Sequence, residues 1–283
     1  MMALPGLDYK RTTMASERFK SILEKNPELN VYKTNVLHLL DQNAYFLHIP
    51  KCGGTSVRDA LIFEHYNAET PKLDYLNFHN HSKAQDLISA VDIYTSKFIL
   101  SVRHPIGRFL SAYNFLLDID ARNIELDDKN IQFYTKRKEH LEKIGIGGFA
   151  DLLADKQARQ QIKKTYFNTK EPTHFDWAFQ LQSSWVKDVP KENLTFFKIE
   201  DNSIFDSLNI PVRRSKMKTY DRNIGIENKD KIYQYFQKDF DRFRYQFSEQ
   251  WDAHHLLNER MRDTNLPAKV LKGLLGGIKV LKP

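Results

Sequence analysis

A short apolar run followed by a glycine pair constrains the fold of this chain more than any other feature. Residues 44–49 are aromatic and aliphatic without strict alternation and end before a proline, which is typical of a buried parallel strand. Lys51 and Cys52 then lead into two glycines, and Thr55 or Ser56 can cap a following helix. The order strand, glycine loop, helix predicts a βα unit.

A second unit of the same kind follows. Residues 97–103 form an apolar run, Pro105 suits a helix N-terminus, and an apolar stripe continues along the next helix. Residues 194–199 predict one more strand, and the spacing of apolar residues in 232–243 predicts a helix packed on the sheet. Because successive βα units form parallel sheets, we predict a three-layer α/β fold with a central parallel sheet flanked by helices.

The domain boundaries follow from composition. Residues 1–40 are interpreted as a polar N-terminal extension with a short apolar turn at 36–40, residues 41–263 as the functional domain, and residues 264–283 as a basic amphipathic tail. The tail pattern suits an anionic membrane surface, but its three glycines favour an ordinary docking helix or a frayed end. Within the domain, alternating charges at 118–145 indicate a solvated insertion that could reach over a site.

Charge and cysteine content narrow the partners. The chain has 43 Lys+Arg against 36 Asp+Glu, a net charge of +7, which favours anionic ligands. A single cysteine excludes an intramolecular disulfide, and no Cys/His cluster has zinc-finger spacing, so no metal is expected. The first 20 residues lack the apolar segment of a signal peptide, so the expected location is cytoplasmic, with peripheral membrane contact through the tail as the alternative.

The glycine loop and the second strand end both suit anion binding. Backbone N–H groups at a helix N-terminus, with the charge of Lys51, can hold a phosphate or sulfate, although a plain tight turn also fits the loop. The lysine precedes the glycines, so the loop is not a Walker A motif and a nucleoside triphosphatase is disfavoured. Arg103 follows the second strand and Ser111 lies two turns into the next helix, so together they could hold a second phosphate.

Three segments carry a family resemblance, which covers residues 44–245. Residues 46–56 resemble the 5′-phosphosulfate loop of carbohydrate sulfotransferases that use 3′-phosphoadenosine-5′-phosphosulfate (PAPS), written H-I-P-K-T-G-G-T-S, with Cys52 in place of threonine. Residues 103–113 resemble the family's 3′-phosphate motif R-x-P-x-x-R-x-x-S-x-Y in every fixed position. Residues 233–245 resemble the later segment Y-x-x-D-F-x-x-F-x-Y. The resemblance makes the predicted fold P-loop-like.

The resemblance also implies a donor site. PAPS would be the cosubstrate and adenosine 3′,5′-bisphosphate the product, with no metal required. Lys51 would contact the bridging oxygen as a catalytic cation, because a fixed charge there stabilises the transition state most. The donor-binding residues would be Lys51, Cys52, Gly53, Gly54, Thr55, Ser56, Arg103 and Ser111.

A general base is needed because a hydroxyl is a poor nucleophile. His79 and His81 form a His-x-His pair between the two phosphate motifs, and the heparan sulfate 2-O-sulfotransferases that this region resembles have their base in such a pair. We favour His81, with His79 as partner or alternate, and keep Glu64 as a carboxylate alternative. His104 is expected to pack within its turn and is given no role.

The resulting expectation is in-line sulfuryl transfer to a carbohydrate hydroxyl. The acceptor would be an oligosaccharide, polysaccharide or glycolipid, and an anionic or lipid-linked one is compatible with the charge; no nucleic-acid partner is expected. Two alternatives from other classes are a catalytically silent protein that binds PAPS or a polyanion, and a P-loop kinase-like phosphotransferase, which would need Mg²⁺. The sequence does not identify the acceptor, the sulfated position or the oligomeric state.

Overall fold

A computed structural model gives the fold. It describes residues 36–39, 43–54, 57, 73–76, 83–88, 91–118, 128–167, 174–200 and 224–248. Among these, no helix is long and apolar enough to cross a membrane. The tail at 264–283 lies outside the described residues, so its membrane contact stays a prediction.

The five described strands form one mixed sheet. They are β1 (Val36–Leu39), β2 (Ala44–Leu47), β3 (Leu73–Leu76), β4 (Lys97–Val102) and β5 (Leu194–Lys198), in the order β3-β1-β2-β4-β5. Strands β2, β4 and β5 are mutually parallel, which confirms the predicted parallel sheet. Strand β1 runs antiparallel to both β2 and β3.

Strand β1 corrects one prediction. The apolar residues at 36–39 were expected in a turn, but they form a strand because β2 and β3 hydrogen-bond to it on either side. The sheet therefore includes residues that the predicted boundary left in the N-terminal extension.

In the part of the chain that the structure describes, five α-helices and three short 3-10 helices flank the sheet. The α-helices are α1 (Pro105–Asp118), α2 (Asp128–Asp151), α3 (Lys156–Tyr166), α4 (His174–Phe179) and α5 (Ile226–Phe243). The 3-10 helices are Ala84–Leu87, Gln182–Val186 and Lys191–Asn193. The second βα unit, β4 followed by α1, is confirmed, as are strand β5 and helix α5.

The central strands are buried on both faces, which explains the apolar runs in the sequence. All four residues of β2 are buried, and so are five of the six residues of β4. Tyr45, Leu47, Phe98 and Leu100 belong to one apolar cluster, which includes Trp185. A second, aromatic cluster joins helices α1, α2, α4 and α5. A strand covered on both faces needs no polar alternation.

Helix α2 corrects a second prediction. The charged stretch 118–145 was expected to be a solvated insertion, but its second half is helical and packs against α1. Leu141 is fully buried, and Arg137 is only 2% exposed. The Arg137 guanidinium donates to the Leu116 carbonyl and lies over the ring of Phe167. A long cationic side chain can therefore pack as part of the core, which composition alone does not reveal.

Candidate functional site

The predicted anion-binding residues lie at one edge of the sheet. Leu47 at the end of β2 is in register with Leu100 of the parallel neighbour β4. The glycine loop leaves β2 at that edge, and Arg103 follows β4. Ligands of open α/β sheets bind at the carboxyl ends of parallel strands, so Lys51 and Arg103 have the placement that the sequence predicted.

The loop backbone after β2, called the cradle below, turns sharply. Lys51 and Gly53 have positive φ angles of 66° and 70°, and Cys52 between them does not. The Cys52 N–H donates to the Ile49 carbonyl over 3.4 Å, which closes this turn. Glycine-containing turns between a strand and a helix are suited to anion binding. The left-handed conformation of Lys51 costs a non-glycine residue roughly 1–3 kcal/mol, and such strain persists where the surrounding contacts enforce it.

Gly54 is required by the packing of the loop. A Cβ atom at this position would lie 2.1 Å from Cδ2 of His48, far inside ordinary contact. His48 is itself only 6% exposed, so its ring cannot simply turn out into solvent. The second glycine of the loop therefore allows the backbone to pass over a buried imidazole.

The buried Cys52 side chain connects the loop to Gln182. It is fully buried, and its thiol donates to Oε1 of Gln182 over 2.9 Å. Burial raises the pKa of this thiol to about 12, so the sulfur stays protonated and is not a nucleophile. The residue that departs from the family pattern thus keeps a hydrogen-bond donor at that position.

Gln182 joins the two predicted phosphate sites. In addition to the Cys52 thiol, its Oε1 accepts the Arg103 backbone N–H over 2.9 Å, and its Nε2 donates to the Arg103 carbonyl over 2.8 Å. Gln182 is fully buried. Sequence reasoning missed this residue, because it lies 79 positions from Arg103 and belongs to none of the three motifs.

Asp239 holds the Gln182 segment in place. Its two carboxylate oxygens accept the backbone N–H groups of Gln182 and Ser183, each over 2.8 Å. Asp239 is fully buried, and burial raises its pKa above the usual value. This aspartate occupies the Asp position of the third sequence segment, Y-x-x-D-F-x-x-F-x-Y, so that segment supports Gln182 from helix α5.

The two arginines of the second motif have different roles. Within the described part of the chain, the half-buried Arg103 guanidinium has no hydrogen-bond or ion-pair partner. Arg108 is 1% exposed and donates to three backbone carbonyls, those of Pro50, Trp177 and Gln180, over 2.7–3.0 Å. Arg108 therefore ties the glycine loop to helix α4, whereas no described residue engages the Arg103 guanidinium.

An aromatic group borders Lys51. The Lys51 ammonium lies 3.9 Å from the ring centroid of Phe115 on α1. His174 and Trp177 of α4 contact the same ring, with centroids 5.0 Å and 6.2 Å away. His174 is exposed and Trp177 is half-buried, whereas Trp185 is fully buried in the core. Of the described tryptophans, only Trp177 lies at the loop with part of its surface open.

His104 packs within its turn, as expected from the sequence. Its ring lies edge-on to Phe240 and Tyr245, with centroids 5.2 Å away in both cases. Burial lowers the pKa of His104 to about 4, so the imidazole is neutral near pH 7. Its backbone N–H donates to Glu200, which also accepts the Tyr245 hydroxyl.

Several predicted site residues are not tested by the structure. Ser111 is described and lies half-buried on α1, two turns after Pro105. Thr55, Ser56, Glu64, His79 and His81 lie outside the described residues. The part of the chain that the structure describes contains no cluster of three or more His, Cys, Asp or Glu side chains arranged for a metal.

A separate polar cavity lies between helices α2 and α3. Its volume is about 670 Å³, and its lining includes Lys136, His140, Lys143 and Tyr166. No residue predicted to bind the donor lines it. This cavity is therefore distinct from the candidate donor site.

The fold and the loop together define an α/β protein of P-loop-like architecture, with a glycine loop and Arg103 at the carboxyl edge of its parallel strands. The family model described as the sulfotransferase family matches residues 40–246, which include all three sequence motifs. The chain belongs to the sulfotransferase family, and this membership indicates a transferase that moves a sulfuryl group. No curated protein and no solved structure matched the chain.

Proposed function

We propose that the chain transfers the sulfuryl group of PAPS to a carbohydrate hydroxyl and releases adenosine 3′,5′-bisphosphate. The observation that carries this proposal is the joint placement of the two phosphate motifs. The cradle after β2 and Arg103 after β4 lie at neighbouring ends of parallel strands, and Gln182 hydrogen-bonds to both segments. A donor with phosphates on both the 3′ and the 5′ oxygens of its ribose suits two such neighbouring sites.

The 5′-phosphosulfate and the 3′-phosphate of the donor would each be held by a separate set of groups. Backbone N–H groups from Gly53 to Ser56, with the Thr55 and Ser56 hydroxyls, would bind the 5′-phosphosulfate. The Cys52 N–H, which was also expected to contribute, donates to the Ile49 carbonyl. Arg103 and Ser111 would bind the 3′-phosphate. In support, the Arg103 guanidinium has no partner among the described residues, and a planar guanidinium matches a phosphate in a bidentate way.

Lys51 would assist the chemical step. In an in-line transfer the acceptor oxygen forms a bond to sulfur while the bond from sulfur to the bridging oxygen breaks. Negative charge then grows on the leaving phosphate, and the Lys51 ammonium can stabilise it there. Neither step requires a covalent enzyme intermediate.

The proton of the acceptor hydroxyl would go to a histidine. We propose His81 as the base and His79 as its partner or alternate, because an imidazole has a pKa near neutrality. Glu64 is the carboxylate alternative. His104 is excluded from this role by its burial and its low pKa of about 4.

The acceptor would approach along the aromatic group beside Lys51. Trp177 and His174 offer ring surface next to the lysine, and aromatic side chains with part of their surface open are common in recognition sites. The net charge of +7 suits an anionic glycan and would also suit the donor alone. We therefore propose an oligosaccharide, polysaccharide or glycolipid acceptor, with lipid-linked acceptors brought close if the tail lies on a membrane.

Calorimetric titration without Mg²⁺ tests the donor site. Adenosine 3′,5′-bisphosphate should bind the wild type at least tenfold more tightly than 5′-AMP, and Arg103→Ala should remove most of that difference. Lys187→Ala, which removes an exposed positive charge elsewhere, is the matched control and should bind like the wild type. Equal affinity for the two nucleotides, or binding that requires Mg²⁺, would refute the proposal and favour a kinase-like phosphotransferase.

Turnover distinguishes an enzyme from a silent binding protein. Incubation of the wild type with PAPS and a panel of glycans should release adenosine 3′,5′-bisphosphate, and Lys51→Ala should slow this release at least a hundredfold. Donor binding without any release, with water or with glycans, would identify a protein that binds PAPS but does not transfer its sulfuryl group.

A further inference from the structure

We propose that Gln182 is a positioning residue that couples the two phosphate sites of the donor, so that binding at one site organises the other. This inference rests on the proposed PAPS function. It concerns a residue that lies in none of the three motifs and that touches the loops rather than the ligand.

Both ends of the Gln182 amide are used. Oε1 accepts two hydrogen bonds, from the Cys52 thiol and from the Arg103 N–H, and Nε2 donates to the Arg103 carbonyl. These contacts hold the loop after β2 and the segment after β4 to one rigid planar group. Flipping the amide would place its NH₂ against two donors, so only one orientation satisfies the site.

The Gln182 backbone is fixed as firmly as its side chain. Asp239 accepts the N–H groups of Gln182 and Ser183, and all of these contacts are buried or partly buried. Gln182 and Asp239 are fully buried. Buried hydrogen bonds of this kind restrain positions strongly, because leaving any member unpaired is costly. A shift of the Arg103 segment must therefore move the amide, and with it the Cys52 side of the cradle.

This geometry predicts energetic coupling between the two phosphates. A 5′-phosphate in the cradle shifts Cys52 and its neighbours toward their bound positions, and the shared Gln182 amide passes that shift to the Arg103 backbone. The 3′-phosphate then binds a segment that has already moved, so the two phosphates bind cooperatively. Coupling between sites is typically about 5- to 150-fold, and we expect about tenfold here.

Four ligands measure this coupling directly. Calorimetry, direct or by competition, gives the affinities of adenosine, 5′-AMP, 3′-AMP and adenosine 3′,5′-bisphosphate. The coupling factor is the gain from the 3′-phosphate when the 5′-phosphate is present, divided by the same gain when it is absent. We expect a factor of about ten for the wild type and a factor near one for Gln182→Met, which keeps the side-chain length but removes both polar atoms.

Control variants separate coupling from general damage. Gln180→Met makes the same chemical change two residues earlier, where the described hydrogen bonds use only the backbone N–H and carbonyl, so its coupling factor should equal that of the wild type. Cys52→Ala removes only the loop side of the Gln182 network and should lower the factor, whereas Cys52→Ser keeps a donor and should restore most of it. The cysteine pair also keeps the test available if Gln182→Met fails to fold.

The outcomes distinguish the inference from the function on which it rests. A wild type that binds the bisphosphate with a coupling factor near one overturns the inference and leaves the proposed function standing. The inference is equally overturned if Gln182→Met and Cys52→Ala keep the wild-type factor, or if they weaken all four ligands by the same ratio. A wild type that does not bind the bisphosphate overturns both.

Discussion

Replacing Gly54 with alanine tests whether the loop depends on close approach to His48. The added Cβ would lie 2.1 Å from the ring, whereas ordinary contact begins near 3.4 Å, so the ring or the loop must move by about 1.3 Å. The ring is 6% exposed, and Leu47 and Ile49 on either side of it in the sequence are fully buried. Such overpacking typically costs about 1–3 kcal/mol, and we expect the upper part of that range.

Two measurements detect the effect of Gly54→Ala, the melting temperature and the affinity for the bisphosphate. The melting temperature should fall by about 5–10 °C, because one kcal/mol corresponds to roughly 2–4 °C in a domain of this size. The affinity for adenosine 3′,5′-bisphosphate should fall at least tenfold, because the displaced backbone is the one that carries the proposed cradle. His48→Ala in the Gly54→Ala background should recover part of the affinity, since it removes the obstructing ring.

Gly147→Ala is the matched control. Its Cβ would meet the Asn228 amide at 3.3 Å, at the end of a flexible side chain that can move. Gly147 lies in helix α2, where alanine is favoured over glycine by up to about 1 kcal/mol, so stability should be unchanged or slightly higher. A Gly54→Ala protein that melts and binds like the wild type would refute the argument that His48 requires glycine.

Three further substitutions test the supports of the site by urea denaturation. His104 has its pKa lowered to about 4 from the usual 6.5, so the unfolded chain binds a proton that the folded chain does not, and the unfolding free energy should fall by roughly 3 kcal/mol as pH decreases from 7 to 4. His104→Phe should remove this decrease in unfolding free energy at low pH. A variant with the same pH profile as the wild type would contradict the conclusion that burial lowers the pKa of His104. Arg108→Lys should cost about 2–4 kcal/mol and weaken bisphosphate binding, because one ammonium cannot bond three carbonyls in the geometry of a guanidinium; unchanged stability would rule out the proposed clamp. Arg137→Met should cost about 1–2 kcal/mol with bisphosphate affinity unchanged, since it loses the Leu116 carbonyl but keeps the packed stem; a loss of affinity would connect α2 to the donor site.

The parts of the fold that the sequence predicts are those with a local cause. Strands β2 and β4 are buried on both faces, so continuous apolar runs mark them, and each is followed by residues that end a strand. Strand β1 forms an antiparallel hairpin with β2, but its other edge is completed by β3, which follows much later in the sequence. The pairing with β3 is tertiary, so no short window of sequence marks β3 as a strand or places it beside β1.

Helix α2 was misread for a related reason. Its charges are visible in the sequence, but the burial of Arg137 depends on the rings of Tyr134 and Phe167 and on a carbonyl of α1. Leu141 is buried in the same interface and accepts the Tyr113 hydroxyl through its carbonyl. A predominantly charged helix can thus bury one narrow stripe, which composition averages away.

The candidate site also contains residues that the sequence could place and residues that it could not. Lys51 and Arg103 could be placed at one edge because parallel connectivity puts successive strand ends together. Gln182 could not, since its contacts with Cys52 and Arg103 span 130 and 79 positions. Its only sequence signal is indirect, because Asp239, which anchors its backbone, belongs to the third motif. Residues that join two loops leave no local pattern, even where the loops themselves do.

The two arginines of the second motif are held in different ways, one by its backbone and the other by its guanidinium. The Arg108 guanidinium donates to the Pro50, Trp177 and Gln180 carbonyls, and Arg108 is as buried as the apolar core around it. It therefore fixes the loop in which Lys51 holds a strained conformation, because a left-handed lysine persists only where its surroundings enforce it. Arg103 hydrogen-bonds to Gln182 only through its backbone N–H and carbonyl, so these bonds position the residue without using its guanidinium. An arginine that is held by its backbone leaves its guanidinium open to the proposed donor, whereas an arginine whose guanidinium binds three carbonyls stabilises the loop.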